Sequence, residues 1–69
     1  VLEGRARMYL ARGMKGFAQR DINQAFELLG GKAPATLYRL RAELNEGLGN
    51  RKAAAEDIQR AETLERSQP

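Results

Sequence analysis

The sequence contains no cysteine, no histidine and no tryptophan, and it has only two prolines. Without cysteine and histidine there can be no disulfide, no zinc site with those ligands, no thiol catalysis and no histidine acid–base chemistry. A chain of 69 residues is enough for one small domain, in which a single hydrophobic core is marginal. We therefore expect stability to come from helix packing or from neighbouring protein.

Long hydrophobic runs are also absent. No apolar run approaches the roughly 20 residues that a membrane-spanning helix needs, and the charges near the start do not fit a signal peptide. The composition, 42% hydrophobic and 30% charged, predicts a soluble globular protein with no membrane partner. Missing cysteine is compatible with a reducing or an oxidising compartment, so the localisation stays unknown, with the cytoplasm slightly favoured.

Neither sign of charge dominates the chain. The 12 basic and 9 acidic residues are interspersed and form no basic block, which disfavours nucleic acid as a partner. The acidic residues form no obvious metal-binding cluster, and the stretches GMKG and GLGN are too short for a phosphate loop. We therefore predict that the chain is not an enzyme, with no catalytic residue, no metal and no cofactor.

What the sequence does contain is a near-copy of itself. DINQA at 21–25 returns as DIQRA at 57–61. Overlaying 1–33 on 37–69 makes eight pairs identical: Arg5/Arg41, Ala6/Ala42, Gly13/Gly49, Ala18/Ala54, Asp21/Asp57, Ile22/Ile58, Ala25/Ala61 and Leu28/Leu64. Periods of 20–50 residues are typical of stacked structural repeats. We predict one domain over 1–69, with repeats at about 1–33 and about 35–69.

Apolar residues at helical spacing predict two helices in each repeat. The helices are predicted from Leu2 to the turn at Gly13, then at about Phe17–Leu29, Ala35–Leu48 and Arg51–Arg66. No segment alternates as a strand does, so the predicted fold class is all-α, two stacked antiparallel helix-turn-helix repeats. The predicted inward residues are Leu2, Ala6, Tyr9, Ala18, Ile22, Ala25, Leu29, Leu37, Tyr38, Leu40, Ala42, Leu44, Leu48, Ala54, Ile58, Ala61 and Leu64.

The four aromatic residues are predicted to belong to the core rather than to a ligand-binding platform. Tyr38 should fill the space between the two hairpins, and Phe26 should pack against the next repeat. Phe17, at the start of the second helix, should be partly exposed.

Both repeats share a pattern of large and small residues. The second carries Tyr38, Ala42, Gly49, Ala54, Ile58 and Ala61, and the first carries Leu2, Ala6, Tyr9, Gly13, Ala18, Ile22 and Ala25. In order and spacing, the pattern resembles the tetratricopeptide repeat (TPR). The resemblance implies an α-solenoid segment that acts as a scaffold or adaptor for a protein or peptide partner.

The sequence departs from the TPR pattern at several positions. Arg5 and Arg41 stand where the family prefers Leu, and Lys15 and Arg51 stand where an aromatic residue usually opens the second helix. The period is 36 residues rather than the family's roughly 34. A Sel1-like repeat and an RNA-binding pentatricopeptide repeat are the alternatives, although the Ala–Ile–Ala spacing favours the TPR.

In the TPR family, the first helices of the repeats line a concave groove that binds an extended peptide or a partner helix. By resemblance, the groove-facing residues here would be Glu3, Arg7, Leu10, Thr36, Arg39, Glu43 and Glu46. The clamp that holds a carboxylate in chaperone-binding members is not reproduced, since the matching positions are Glu3, Arg7, Leu40 and Glu43. Charges of mixed sign do not select one ligand charge, and the alternative is a merely solvated face.

Arginine and aspartate recur at equivalent positions, and ordinary core packing explains neither. We predict that Arg5–Asp21 and Arg41–Asp57 are salt bridges that tie the two helices of each hairpin. The alternative is that each side chain points independently into solvent.

Repeat proteins need roughly three or more units to bury a continuous core, with atypical units as caps. This chain opens on the apolar pair Val1-Leu2, lacks an initiating methionine and ends on a polar helix. We expect the C-terminal end of a longer array. The alternatives are self-association and a purely structural capping role.

Overall fold

The computed structural model describes residues 2–67, and within that range all regular structure is helical. The helices are α1 (Leu2–Ala11), α2 (Lys15–Leu29), α3 (Ala35–Gly47) and α4 (Arg51–Ser67), with a short 3-10 turn at Gly30–Lys32 after α2. The prediction of an all-α chain with four helices is confirmed. Helix α2 begins two residues earlier than predicted, because Lys15 and Gly16 already belong to its first turn.

The turn within each helix pair has the same backbone geometry. Gly13 and Gly49 adopt φ angles of 74° and 84°, in the left-handed region where glycine has no Cβ penalty. Each glycine N–H donates to the carbonyl three residues back, and the following residue's N–H donates to the carbonyl five residues back, at 2.8 Å in both turns. This is the Schellman arrangement, which satisfies the last carbonyls of α1 and α3.

The core lies between the two helix pairs. Helix α1 packs against α2 and α3 against α4, while α3 also contacts α2 and α1. Since α3 is the element shared by both sets of contacts, its apolar stripe is covered on two sides. The buried residues of the core cluster are Ala6, Ala18, Ile22, Ala25, Ala33, Leu37, Leu40 and Leu44.

Equivalent inward positions are not equally buried. Ile22 is fully buried in the core cluster, whereas its counterpart Ile58 on α4 is only half-buried. Leu64 is also half-buried, and Leu29 and Leu48 are exposed. Leu29 and Leu48 were predicted to lie on the apolar faces of their helices and are exposed instead, because both lie at helix ends. Ile58 and Leu64 were predicted to face inward and are buried only in part.

The aromatic residues form two ring pairs. Phe26 and Tyr38 meet edge to face, with centroids 5.0 Å apart, and connect α2 to α3. Tyr9 and Phe17 stack at 5.3 Å and connect α1 to α2. The predicted packing of Phe26 and Tyr38 between the helix pairs is confirmed, as is the partial exposure of Phe17, at 50%.

None of the helices in residues 2–67 combines the length and the apolar character that crossing a lipid bilayer would require.

Candidate binding groove

An open cavity of about 350 Å³ lies along α3, with α1 at one side and α4 at the other. We call it the α3 groove, and it is lined by Arg7, Thr36, Arg39, Leu40, Ala42, Glu43, Glu46 and Ile58. Five of the seven residues predicted to bind a partner therefore lie together: Arg7, Thr36, Arg39, Glu43 and Glu46.

The other two predicted residues lie outside the lining of the groove. Glu3 is one turn before Arg7 on α1 and accepts a hydrogen bond from the Thr36 hydroxyl at 3.4 Å, so it stands at the edge of the groove. Leu10 is partly buried against the hydrophobic core. Its position indicates a packing role, because an apolar side chain at the end of α1 gains more from core contact than from solvent.

The floor and the walls of the groove differ in chemistry. Leu40 and Ala42 of α3 are buried in the floor. Ile58 of α4 is half-buried, so part of its apolar side chain is accessible in the groove. Glu43 and Glu46 are exposed and follow each other at i and i+3, a spacing that places them on one side of α3. The groove therefore offers apolar contact beneath a polar rim.

Both arginines of the groove are already paired with carboxylates. The Arg7 guanidinium lies 3.0 Å from Glu3 one turn earlier. Arg39 donates two hydrogen bonds to Glu65 on α4, at 2.8 and 2.7 Å. These hydrogen bonds lower the pKa of Glu65 from its ordinary value, since they stabilise the charged carboxylate more than burial disfavours it.

The two groove carboxylates have no such compensation. Over the stretch from Leu2 to Ser67, neither Glu43 nor Glu46 has a basic side chain within 4 Å. Of the charged side chains that line the groove, the two arginines are therefore paired and the two glutamates are not. Sequence reasoning could not find this difference, because Glu65 lies 26 residues from its partner Arg39.

The predicted Arg–Asp salt bridges are both present. Arg5 donates to both carboxylate oxygens of Asp21, at 2.8 and 2.7 Å, and Arg41 does the same with Asp57, with a shortest distance of 2.8 Å. Both aspartates are buried, so two-point guanidinium contacts satisfy charges that would otherwise be costly. Asp21 thereby has a pKa below its ordinary value, chiefly because of the hydrogen bonds from Arg5.

The second salt bridge has more partners than the first. Asn45 donates a further hydrogen bond to Asp57 at 3.0 Å. The Arg41 guanidinium also lies 3.9 Å from the Phe26 ring centroid, within the range of a cation–π contact. As a result, the Arg41 side chain is 33% exposed and that of Arg5 49%.

Lys15 provides a different link between the helix pairs. Its ammonium group donates to the Gly47 carbonyl at 2.8 Å, which places a positive charge at the C-terminal end of α3. A side chain at Gly47 would come within 3.2 Å of the Lys15 stem. Lys15, in the first turn of α2, therefore caps the C-terminal end of α3.

A second surface of interest lies at the start of α2. Met14, Gly16, Phe17 and Arg20 border it, and we call these four residues the Phe17 surface. Residues 4–20, from which this surface is drawn, contain five basic and no acidic residues, although no two basic residues are adjacent. Within residues 2–67, Arg20 has no carboxylate within 4 Å, although it exerts a weak attraction on Asp21.

A third surface is apolar and lies where α1 begins and α2 ends. It is a cavity of about 420 Å³ lined by Leu2, Glu3, Ala25, Leu28, Leu29 and Leu37. Leu28 is its most exposed member, at 72%. No feature of residues 2–67 shows what would cover this surface.

In the described part of the chain, no three acidic side chains converge as a metal site would require. Comparison with protein-family models, with curated proteins and with solved structures finds no match for this chain.

Proposed function

We propose that the chain is a non-catalytic protein-interaction module of the TPR type that binds a peptide segment in the α3 groove. The main support is that five of the seven residues expected from the repeat pattern to face a partner line one cavity, and that this cavity has an apolar floor. Equivalent Schellman turns and equivalent Arg–Asp pairs 36 residues apart support the repeat assignment.

The charges of the groove define the class of peptide. Glu43 and Glu46 present carboxylates without an internal partner, while Arg7 and Arg39 are held by Glu3 and Glu65. A ligand with Lys or Arg beside an apolar residue would complement the rim and the floor together. We therefore propose a basic, partly apolar segment as the ligand.

The test uses two synthetic peptides of equal length, one alternating Arg with Leu and the other alternating Glu with Leu. Fluorescence anisotropy should show binding of the Arg–Leu peptide and at least about tenfold weaker binding of the Glu–Leu peptide. The double variant Glu43→Gln, Glu46→Gln should lose most of that preference. Both side chains are exposed, so the unfolding free energy should hardly change.

A matched control is Glu56→Gln, which removes an exposed carboxylate of α4 outside the groove. It should leave peptide binding unchanged. Equal binding of both peptides, or equal loss in the Glu56 control, would contradict the proposal and favour a capping segment whose charges are only solvated.

A further inference from the structure

One surface of the chain itself carries the basic and apolar side chains that the α3 groove is proposed to bind. We propose that the Phe17 surface of one copy docks in the α3 groove of a second copy. This inference rests on the proposed function, because it names the occupant of the same groove. It commits to self-association through two different surfaces rather than through one shared patch.

The two surfaces are complementary in polarity and in charge. Phe17 and Met14 are both exposed, so they offer apolar area to the floor of the groove, where Ile58 is only half-buried. Arg20 stands three residues after Phe17, on the same side of α2. Its guanidinium has no ion-pair partner in residues 2–67, which matches the unpaired carboxylates of Glu43 and Glu46.

The equivalent surface of the second helix pair cannot make this contact. Thirty-six residues after Phe17 and Arg20 stand Ala53 and Glu56, so the large ring and the positive charge are both missing. Docking is therefore directional: only the first helix pair supplies the insert, and α3 with its flanks supplies the groove. Such a heterologous contact leaves one free surface at each end and permits assembly beyond a dimer.

The contact is small, so association should be weak. A stable protein–protein interface buries about 1,200–2,000 Å² in total, about half of it on each partner, and one copy exposes 4826 Å². A few side chains from each partner cannot reach that area. We therefore expect dissociation constants in the high micromolar range and strong weakening by salt, since exposed charge pairs are screened within about 3 Å at 1 M.

The experiment is analytical ultracentrifugation of the 69-residue chain across the micromolar to millimolar range, at low and high salt. The wild type should associate at low salt. Arg20→Glu, Phe17→Ala and Glu43→Arg should each weaken association at least about tenfold. Arg60→Glu and Glu56→Arg make the same charge changes outside the two surfaces and should retain association.

A mixture gives the decisive measurement. Arg20→Glu and Glu43→Arg each weaken the contact between identical copies. In a mixture, the unchanged Arg20 of the Glu43→Arg variant can meet the unchanged Glu43 and Glu46 of the Arg20→Glu variant, so mixing should restore association. A wild type that stays monomeric at millimolar concentration overturns the inference, as does a mixture that stays monomeric or a control that behaves like its matched variant. Circular dichroism confirms that each variant is folded.

The Arg–Leu peptide separates this inference from the proposed function. If the peptide binds the wild type while the wild type stays monomeric, self-association is wrong and the peptide-binding function stands. If the chain associates, and Glu43→Arg neither weakens that association nor peptide binding, the groove is not the contact and both are wrong. If the peptide dissociates wild-type oligomers, both are supported.

Discussion

The two helix pairs carry the same elements at equivalent positions, yet their surroundings differ. Each has a Schellman turn at glycine and a buried aspartate held by an arginine from the preceding helix. The first pair packs one face against α3, whereas the outer side of the second pair is left open within residues 2–67. Equivalent residues should therefore contribute differently to the free energy of unfolding.

The isoleucines make this difference plain. Ile22 is fully buried in the core, while Ile58 forms part of the groove floor. The repeated residue is thus part of the core in one helix pair and part of a cavity wall in the other.

The largest expected effect is a difference between these two isoleucines in how much their truncation lowers the unfolding free energy. Ile22→Ala should lower the unfolding free energy by about 3 kcal/mol, because it leaves a cavity in a closed core, and Ile58→Ala by about 1 kcal/mol. Urea unfolding followed by circular dichroism measures both. If Ile22→Ala does not fold, Ile22→Val should still lose about 1 kcal/mol, more than Ile58→Val. Equal losses at the two sites would show that α3 does not protect Ile22.

A smaller effect distinguishes the two salt bridges. A double-mutant cycle at Arg41 and Asp57 should give a coupling energy of about 2 kcal/mol, since Asp57 is buried and shares its network with Asn45 and Phe26. The same cycle at Arg5 and Asp21 should give a smaller coupling, because Arg5 is more exposed and thus better screened. A larger coupling at Arg5–Asp21 would reverse this ranking.

The smallest effect is a pH dependence from Asp21. Its pKa is lowered in the folded chain by hydrogen bonds from Arg5. The stabilisation is fully present above the ordinary pKa of an unfolded aspartate and is lost as the pH falls through the lowered folded pKa.

The matching measurement is urea unfolding of wild type and Asp21→Asn from neutral to strongly acidic pH. The stability difference between them should be largest at neutral pH and should shrink on the acid side of the ordinary aspartate pKa. Glu56→Gln serves as a control for a solvated carboxylate, with a small difference at every pH. A gap between wild type and Asp21→Asn that does not change with pH would contradict the argument.

Much of the fold could be predicted because its signals are local. Apolar spacing located the four helices of residues 2–67, and the identical pairs of residues predicted both salt bridges. The predictions were wrong at Leu29 and Leu48, which are exposed, and only partly met at Ile58 and Leu64, which are half-buried. Helical spacing predicts which face is apolar but not how completely another element covers it.

The candidate site was predictable in part. Five of its residues follow from the repeat pattern and do line one groove, but Leu10 packs inward and Glu3 stands at the edge. Neither Lys15 capping α3 nor Glu65 pairing with Arg39 has a signal in the sequence. Those partners are 32 and 26 residues apart, so only the packing of the helices decides which charges meet.

The sequence by itself determined the helices and the glycine turns, because the helical period and the left-handed backbone depend on residues close together in the chain. It also predicted the Arg–Asp pairing, because the same two residue types recur 36 positions later. Only the tertiary structure decided which charges of the groove are paired and how deeply equivalent residues are buried. The physical reason is that ion pairing and burial depend on distances between helices: Arg39 is paired only because α4 brings Glu65 to 2.7 Å.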